Sequence, residues 1–483
     1  MSRFHELFFE LYGYEPAIEI PTQPMTKSEF HTTLITYPDS YGNLSRIDAQ
    51  LPFDSIHILP FVSSSGDGGF AISDYDIVDP RYGSWEDISQ IARRKNVVAD
   101  LILNHVSIKH KWFQSFIAGG EYKDFFLSFE SPPSEYGIYR PRAEPLFKKF
   151  KTAQGIRYVW TTFSREQADL NYNNPDVLFA MLEVVKGLIQ RGIKVIRLDA
   201  VGYVGKELGT SCFHHPKTFL IVELFSEYVK SIDPSVRLLS EIVDSQENID
   251  KYLGHSDFVY DFRPGSATLF ALATQTTNAL YRIDPHQTRF AVISTHDGTS
   301  LNSSVLSETE QRKIAKGVKG YRNVNGKRIA YELQSSFRSM ANSGFYVAHA
   351  YLLFCFQRCG VYYRCLHDVG NNYTAALRTK EGRYLNRGPV VNNPYDAQLL
   401  KLISLRYTTR LLTHGHTTPI PLRDGVYCCL RTLPGEGNLL VLLNFTKTTQ
   451  RFGLLRGLFD LVSEREFSGE LAAHGFVVLG MRD

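Results

Sequence analysis

A chain of 483 residues with 43% hydrophobic content is long enough to bury a large core, and its length predicts two or three domains. Its 53 lysine and arginine residues nearly balance 50 aspartate and glutamate residues, so the net charge of +3 does not favour nucleic acid or an acidic membrane face as a partner. The longest nearly continuous apolar run, residues 350–356, is far shorter than the roughly 20 residues that span a bilayer.

The amino-terminal segment lacks the pattern of a signal peptide. Glu6 and Glu10 lie within it, and no basic start is followed by an apolar core. The six cysteines are scattered without a disulfide framework, and neither a CxxC pair nor spaced histidines suggest a zinc site. We therefore expect a cytoplasmic protein with reduced thiols and no metal site. The sequence does not determine the oligomeric state, and a homodimer stays open.

Short β-rich runs alternate with amphipathic helical stretches along the chain. Eight runs read as strands: 33–38, 55–62, 97–105, 194–201, 236–243, 258–263, 291–297 and 360–364. Between them, one helix starts at Ser84, and another has Asn174 as its cap with Pro175 at its first position. This order predicts an α/β fold, a (β/α)8 TIM barrel whose functional residues lie at the carboxyl ends of its strands. An open doubly wound sheet is the alternative.

Two segments do not fit the barrel pattern. The stretch between the third strand and the Asn174 helix is rich in Pro, Tyr, Phe and Arg and too long for an ordinary connection, which predicts a small inserted domain over residues 106–172. Strand-like runs and turns near the carboxyl end predict a β-sandwich over residues 413–483. Residues 1–30 are assigned to an amino-terminal extension and residues 31–412 to the barrel with its insertion.

The stretch VIRLDAVGYVGKE, residues 195–207, places two opposite charges in an apolar run. Because side chains alternate across a strand, Arg197 and Asp199 share the face that we expect to point to the barrel axis. Charges there are costly unless they are paired or used, and we expect Arg197 to hold Asp199 ionised. An ionised carboxylate at a barrel mouth can act as a nucleophile, although a structural ion pair explains these two residues equally well.

Polar and titratable side chains end other strands as well. They are Asp100, Asn104 and His105 on the third strand, Glu241 after the fifth, and His296 and Asp297 after the seventh. So many carboxylates and histidines at one mouth exceed what helix caps require. Glycoside cleavage demands paired carboxylates, one to attack the anomeric carbon and a protonated one to donate to the leaving oxygen. The sequence therefore predicts a site that cleaves glycosides.

Four motifs resemble the motif regions of the α-amylase family of glycoside hydrolases, in their usual order: DLILNH (100–105), IRLDAVGY (196–203), LLSEI (238–242) and STHDG (294–298). Over residues 33–410 the chain is similar to the sucrose phosphorylase branch of that family, in GDGGF (66–70), YGSWEDI (82–88), YRPR (139–142), VWTTF (159–163) and DAVGYVGKELGTSC (199–212). Segments 169–182, 209–218, 240–252 and 331–333 look most similar to the glucosylglycerate phosphorylases.

The resemblance implies roles for particular residues. Asp199 would be the nucleophile, Glu241 the general acid and base, and Asp297 the carboxylate that grips the sugar in the transition state. Arg197 would orient Asp199. The sugar would also be contacted by Asp67 and Arg387 at its far edge and by Phe70, His105, Phe163, Gln167, Tyr203 and His296. Phosphate and the acceptor would be bound by Tyr139, Arg140, Arg142, Lys206, Tyr331 and Glu332. Ordinary core packing explains Phe70 and Phe163 equally well.

The implied enzyme is a glycosyltransferase of the phosphorylase type. It would act through a covalent glucosyl-enzyme with retention, with the carboxyls of Asp199 and Glu241 about 5 to 5.5 Å apart. Phosphate as acceptor would give α-glucose 1-phosphate, and water would give glucose. Glu332 stands where sucrose phosphorylases carry glutamine, which favours glucosylglycerate as the substrate. No organic cofactor is implied, and Asn104 alone leaves a calcium site open.

Alternatives to this activity stay open. Within the phosphorylases they are enzymes for sucrose, sucrose 6-phosphate or glucosylglycerol. Outside them, the chain could be an α-glucoside hydrolase or transglucosidase, or a carbohydrate-binding protein without catalysis. Segments 262–270 and 356–364 depart from the family's usual pattern, which bears on the position expected for Arg387.

Overall fold

The computed structural model describes residues 2–18, 30–142, 144–301, 305–317 and 332–481. Eight parallel strands close into a barrel: β1 Thr32–Thr36, β2 Ser55–Ile58, β3 Asn96–Ile102, β4 Ile193–Asp199, β5 Arg237–Ser240, β6 Phe258–Asp261, β7 Arg289–Val292 and β8 Cys359–Tyr362. Neighbours in sequence pair in parallel, and β8 pairs with β1 to complete the ring. All eight overlap the predicted strands, so the (β/α)8 barrel is confirmed and the open sheet is excluded.

Helices cover the outside of the barrel. They include Trp85–Ala92, Pro175–Gln190, Pro216–Ile232, Gln246–Asp250, Arg263–Thr274, Asn278–Tyr281, Glu308–Gly317, Phe337–Ala341, Phe345–Cys355, Tyr363–Leu366, Tyr373–Thr379, Ala397–Thr408 and Arg410–Thr413. The predicted helix starts are confirmed: the backbone N–H of Ser84 donates to Asp87, and the side chain of Asn174 accepts from the backbone of Asp176. Local capping chemistry in the sequence therefore fixes where these two helices begin.

The core of the barrel wall explains why apolar residues alternate with charged ones in β4. Ile196 and Leu198 are fully buried, whereas Arg197 faces the barrel interior, where its guanidinium lies 5.4 Å from the ring of Tyr260 on β6. The neighbour of Arg197 on β3 is Asp100. The barrel thus packs apolar side chains outward and holds a charged cluster within.

The insertion after β3 builds a small layer over the carboxyl end of the barrel. It contains helix Lys111–Ala118 and an antiparallel sheet of strands Ser128–Phe129, Phe147–Thr152 and Gly155–Trp160. A short ladder between His105–Ser107 and Gln167–Asp169 ties both ends of the insertion to the end of β3. The insertion therefore delivers side chains to the barrel mouth. Its predicted limits, residues 106 and 172, stay predictions.

Helix Arg3–Tyr12 packs Phe4, Leu7 and Phe8 into the core, and the ring of Phe8 stacks 5.4 Å from that of Phe179 in helix Pro175–Gln190. At the other end of the chain, six antiparallel strands form one sheet in the order His416–Pro419, Val426–Leu433, Gly437–Asn444, Phe476–Met481, Phe459–Asp460 and Arg465–Glu466. A two-stranded ladder pairs Gln450–Arg451 with Glu470–Leu471.

The carboxyl-terminal region is all-β, as predicted, while the sandwich and the boundaries at residues 30 and 412 stay predictions. Its sheet docks on the barrel through helix Phe345–Cys355, where the sulfurs of Cys355 and Cys429 lie 3.6 Å apart. Within the described ranges, every helix is too short or too polar to cross a membrane.

Candidate active site

A cavity of about 400 Å³ opens at the carboxyl end of the barrel. Asp199 ends β4, Glu241 follows β5, and Asp297 follows β7, and all three side chains line this cavity. The carboxyl ends of parallel barrel strands share one rim, so residues far apart in sequence meet there. The three carboxylates singled out from the sequence therefore face a common space.

The guanidinium of Arg197 lies between three carboxylates. Its Nη1 contacts Asp100 and lies 2.9 Å from Oδ1 of Asp199, and its Nη2 lies 3.0 Å from Oε1 of Glu241. The side chains of Asp199 and Glu241 are only 11% and 16% exposed. Two carboxylates held by the two terminal nitrogens of one guanidinium must stand side by side. Their predicted spacing stays a prediction.

The electrostatics of this cluster correct one expectation. Burial raises the pKa of Asp199 well above its ordinary value; Arg197 opposes this, while the charges of Glu241 and Asp100 add to the rise. Arg197 lowers the pKa of Asp199, as expected, but it does not outweigh burial and the neighbouring negative charges, because one cation is shared among three carboxylates. Burial and like charge therefore favour retention of one proton in this cluster. That proton belongs to the coupled carboxylates together and not to one residue.

The turn after β4 couples Asp199 to Glu241. Ala200 has a left-handed backbone with φ of 47°, which is uncommon for a residue with a side chain. In this conformation its N–H donates to Oε2 of Glu241 at 2.9 Å, while the N–H of Glu241 donates to the carbonyl of Leu198 at 3.0 Å. A strained turn thus fixes both carboxylates relative to each other, which is typical of a functional site.

Asp297 has a different electrostatic environment. Oδ2 of Asp297 lies 3.1 Å from Nε2 of His296, and Oδ1 accepts from Nη2 of Arg387 at 2.7 Å. Burial pushes the pKa of Asp297 upward, but His296, Arg387 and Arg383 outweigh it and hold the pKa well below its ordinary value. The ring of His296 stacks on Phe70 at 5.2 Å, which fixes its orientation. Asp297 therefore stays ionised.

Asp67 and Arg387 were both expected to contact the far edge of the sugar, but of these two residues only Asp67 lines the far end of the cavity. Asp67 pairs with Arg383, and its other oxygen accepts from Nε2 of Gln167 at 2.9 Å. Arg387 lies behind Asp297, with Nε donating to the carbonyl of His296 at 2.9 Å, and it is not part of the cavity lining. Arg383, which the sequence analysis missed, is the arginine at this wall.

Gly68, next to Asp67, leaves room for the guanidinium of Arg387 against the backbone of this wall. Gly68 has a φ of +64°, and a Cβ built on it would lie 2.6 Å from Nη1 of Arg387. Only glycine meets both demands. The GDGGF motif therefore shapes the backbone of this wall as well as supplying Asp67.

Aromatic and polar side chains form the remaining wall near β3. Nε2 of His105 lies 3.0 Å from Nε2 of Gln167 and 3.3 Å from the carbonyl of Phe70, and burial lowers the pKa of this histidine. His105 is therefore neutral, with one ring nitrogen as a donor and the other as an acceptor. From its ring a row of aromatic contacts runs to the mouth, through Phe163, Tyr203, Phe213 and Tyr139.

Three basic residues were expected to bind phosphate or acceptor, and their positions differ. Arg142 lines the cavity and makes no ion pair with the described part of the chain. Arg140 pairs with Glu135 at 2.9 Å outside the cavity. Lys206 is buried beneath the site, with Nζ 2.6 Å from Oδ1 of Asn104 and 2.9 Å from Asp169. Lys206 therefore does not face the cavity, which corrects its assignment.

The same contacts bear on the calcium question. The ammonium of Lys206 already occupies the space between the side-chain oxygens of Asn104 and Asp169. Elsewhere in the residues that the structure describes, histidine, cysteine and acidic side chains form no cluster of metal-binding size. Tyr331 lies outside the described residues, and Glu332 is described only by its backbone, which pairs with Ser300.

Several lining residues were not identified from the sequence. They are Pro141, Ala200, Gly202, Phe213, Ile242, Val243, Ser300, Gln334 and Arg383. Phe213 lies within the segment 209–218 noted for its resemblance, and Arg383 precedes Arg387 by one turn, so both had a signal nearby. Five others lie in motifs or segments that carry the resemblance, namely Pro141, Ala200, Gly202, Ile242 and Val243. Ser300 and Gln334 are ordinary residue types whose position alone brings them to the site.

The barrel, the carboxylates at its rim and the buried arginine between them define an enzyme of the carbohydrate-active barrel class. Residues 41–315, more than half of the chain, match the alpha-amylase catalytic domain, and the chain belongs to this family. Its relatives include glucosylglycerate phosphorylases. The one from Spirochaeta thermophila is 33% identical over 73% of this chain and 67% of its own, and the one from Escherichia coli is 29% identical over 94% and 92%.

Solved structures agree with this assignment. The sucrose 6F-phosphate phosphorylase from Thermoanaerobacter thermosaccharolyticum superposes with a TM-score of 0.78 at 26% identity, over 87% of this chain and 94% of that one. An alpha-amylase from H. orenii shares the fold, with a TM-score of 0.67 at 17% identity over 94% of this chain and 100% of that one. Other homologues are sucrose and glucosylglycerol phosphorylases.

Proposed function

We propose that this protein is a retaining α-glucoside phosphorylase that converts glucosylglycerate and phosphate to α-glucose 1-phosphate and glycerate. One observation carries the proposal: two carboxylates stand side by side on one guanidinium and face a cavity that also presents an arginine without an ion-pair partner among the described residues. The carboxylates suit double displacement at a sugar, and the arginine suits an anion.

In the first step, Asp199 attacks the anomeric carbon and the bond from that carbon to the glycerate oxygen breaks. Glu241 donates its proton to the leaving oxygen. The proton is available because burial and like charges favour protonation of the cluster around Arg197. When the glucoside is bound we place this proton on Glu241, since the leaving oxygen requires it there and Asp199 must be ionised to attack.

In the second step, a phosphate oxygen attacks the same carbon and the bond to Asp199 breaks. Phosphate attacks as hydrogen phosphate, and its proton passes to the ionised Glu241, which restores the general acid for the next cycle. Two inversions give net retention and an α-configured product. Asp297, kept ionised by His296 and Arg387, hydrogen-bonds sugar hydroxyls and stabilises the developing positive charge in both steps.

The acceptor half of the site supports an anionic ligand. Arg140 and Lys206 have carboxylate partners, so Arg142 is the basic side chain of the three that can meet a ligand in the cavity. Glycerate leaves and phosphate enters on the same side of the glucosyl-enzyme, so both anions would use this arginine in turn. A guanidinium binds carboxylate and phosphate alike through paired hydrogen bonds.

The test is a phosphorolysis screen over glucosylglycerate, glucosylglycerol, sucrose and sucrose 6-phosphate, with α-glucose 1-phosphate measured. We expect formation of this product to depend on phosphate, to be fastest with glucosylglycerate, and to be absent in Asp199→Asn. Glucose release that ignores added phosphate would show a hydrolase instead. Faster turnover of an uncharged glucoside would refute the acidic acceptor while keeping the phosphorylase. A cytoplasmic location is part of the proposal, supported by six free, buried cysteines.

A further inference from the structure

Phe213 belongs to the cavity wall although the mechanism above gives it no role. Its ring stacks on Tyr139 with centroids 4.2 Å apart and planes 10° apart, and it lies 4.7 Å from the ring of Tyr203. Tyr139 is two residues from Pro141 and three from Arg142, which line the same part of the cavity. Phe213 therefore forms the wall at the end where the acceptor binds.

The backbone around Phe213 is held in an unusual conformation. Cys212 and His214, on either side of it, have left-handed φ values of 52° and 53°. Beneath the ring, a Cβ built on Gly202 would lie 2.8 Å from Phe213 and 3.1 Å from His214. Two non-glycine residues in this region cost free energy, so neighbouring contacts must hold the loop in place.

The side chain of His214 supplies those contacts. Its Nδ1 lies 2.7 Å from the hydroxyl of Tyr252, its Nε2 lies 2.8 Å from Oδ2 of Asp244, and its ring centroid is 3.8 Å from that of Phe213. The side chain is only 7% exposed. Because both ring nitrogens have partners, the imidazole cannot rotate without losing a hydrogen bond, and the ring of Phe213 rests on a fixed support.

Asp244 connects this support to the loop of the acid and base. It follows Glu241, Ile242 and Val243, all of which line the cavity. Its carboxylate is further fixed by Nδ2 of Asn248 at 2.9 Å and by the backbone of Ser245 at 2.6 Å. The contacts of His214 with Asp244 and Tyr252, here called the His214 clamp, therefore join the loop after β4 to the loop after β5.

We propose that His214 is a positioning residue that, through the His214 clamp, holds Phe213 as the acceptor wall in register with Glu241. The proposal rests on the proposed function and deepens it: the clamp sets how well an acceptor competes with water for the glucosyl-enzyme. Asp199, Arg197 and the far wall make no contact with the clamp, so the clamp is not needed to form the glucosyl-enzyme from α-glucosyl fluoride, whose leaving group requires no proton from Glu241. Loosening the wall admits water and misplaces the acceptor.

The test compares His214→Ala and Asp244→Asn with wild type and with His215→Ala. His215 is the matched control, since it is the adjacent histidine, caps helix Pro216–Ile232 and touches neither Phe213 nor Asp244. In the clamp variants we expect the KM for phosphate, and for glycerate in the reverse reaction, to rise about 10- to 100-fold. The ratio of glucose to glucose 1-phosphate should rise with it, while the rate of glucosyl-enzyme formation from α-glucosyl fluoride stays within about twofold.

Two outcomes would overturn the clamp. Unchanged acceptor KM and product ratio would show that Phe213 does not need His214. Equal loss in glucosyl-enzyme formation and in acceptor transfer would show general structural damage. Tyr252→Phe, which removes one hydroxyl, should give a smaller shift in the same direction, and an acceptor KM equal to wild type in this variant would also count against the clamp.

Failure of the proposed function is distinguishable from failure of the clamp. If wild type forms no glucose 1-phosphate but still transfers glucose from α-glucosyl fluoride to water and to glycerate, the phosphorylase is rejected. The transfer-to-hydrolysis ratio then still compares the clamp variants with His215→Ala. Hydrogen exchange of segments 203–215 and 241–248 adds a readout without catalysis: both should exchange faster together in His214→Ala, and protection equal to the control would refute the link between the loops.

Discussion

The two ends of the cavity are built on opposite principles. At the far end every charge has a partner, with Asp67 paired to Arg383 and Asp297 to Arg387 and His296. At the mouth, aromatic rings form the wall and Arg142 has no ion-pair partner in the described part of the chain. In the proposed reaction the far end holds the same glucosyl group in both steps, so its groups can be fixed in advance. In the same proposed reaction the mouth exchanges glycerate for phosphate, and both anions require a cation there.

The cluster around Arg197 lies between these ends and follows neither principle. Three carboxylates there share one guanidinium, so negative charge exceeds positive charge. This excess of negative charge destabilises the fold but makes a proton available for transfer. Active sites commonly combine these two effects. The far end, the centre and the mouth thus differ in their balance of charge. Substitutions in the three regions should affect activity to different extents, with the largest effect at the centre.

Asp199→Asn removes the nucleophile from the central cluster and should have the largest effect on activity. Without the nucleophile, phosphorolysis should fall by at least about 10⁴-fold. The variant should also be no less stable than wild type at neutral pH. Because the pKa of Asp199 is raised in the fold, its protonated form stabilises the fold at low pH, and this contribution is lost as the pH rises through the folded-state pKa. The neutral side chain of the variant should therefore increase the free energy of unfolding most above that pKa. Glucose 1-phosphate assays and melting curves at pH 4 and 7.5 measure both effects.

Glu241→Gln separates proton transfer from attack. We expect phosphorolysis of glucosylglycerate to fall about 10²- to 10⁴-fold, because the leaving oxygen no longer receives a proton. With α-glucosyl fluoride, whose leaving group needs no such proton, formation of the glucosyl-enzyme should be much less affected. Equal losses with both donors, measured by single-turnover kinetics, would contradict the role of Glu241 as general acid.

Arg142→Ala tests the open mouth. Loss of its charge-assisted hydrogen bonds should raise the KM for phosphate about 10- to 100-fold and leave hydrolysis of the glucosyl-enzyme nearly unchanged. Arg140→Ala is the matched control from the same motif, since Arg140 pairs with Glu135 away from the cavity. A similar rise in both variants would indicate damage to the loop instead of loss of an anion contact.

Arg387→Gln tests the balanced far end and should have the smallest effect. Arg387 helps to hold the pKa of Asp297 below its ordinary value, and burial acts in the other direction. Without this arginine the pKa of Asp297 should rise, and the acid limb of the profile of kcat/KM against pH should move toward neutral. An unchanged acid limb would mean that His296 and Arg383 suffice to keep Asp297 ionised.

Much of the site was predictable because barrel geometry converts sequence position into location. Any residue just after a barrel strand reaches the rim, so Asp199, Glu241 and Asp297 could be placed together before the structure was known. Long side chains on loops were harder to place. Arg383 and Arg387 are one turn apart, and sequence position alone does not determine which of them reaches Asp67. The sequence position of Lys206 predicted a place in the site, yet its ion pair with the buried Asp169 holds its ammonium beneath the cavity.

The sequence by itself determined the eight strands, the barrel and the residues at the strand ends, because hydrophobic alternation and capping are local and barrel strands share one polarity. Only the tertiary structure decided how charge is distributed among them: that Arg197 serves three carboxylates, that Arg383 takes the place expected for Arg387, and that His214 supports Phe213. These depend on distances between side chains from different loops. Electrostatic and packing free energies follow such distances, and no local pattern encodes them.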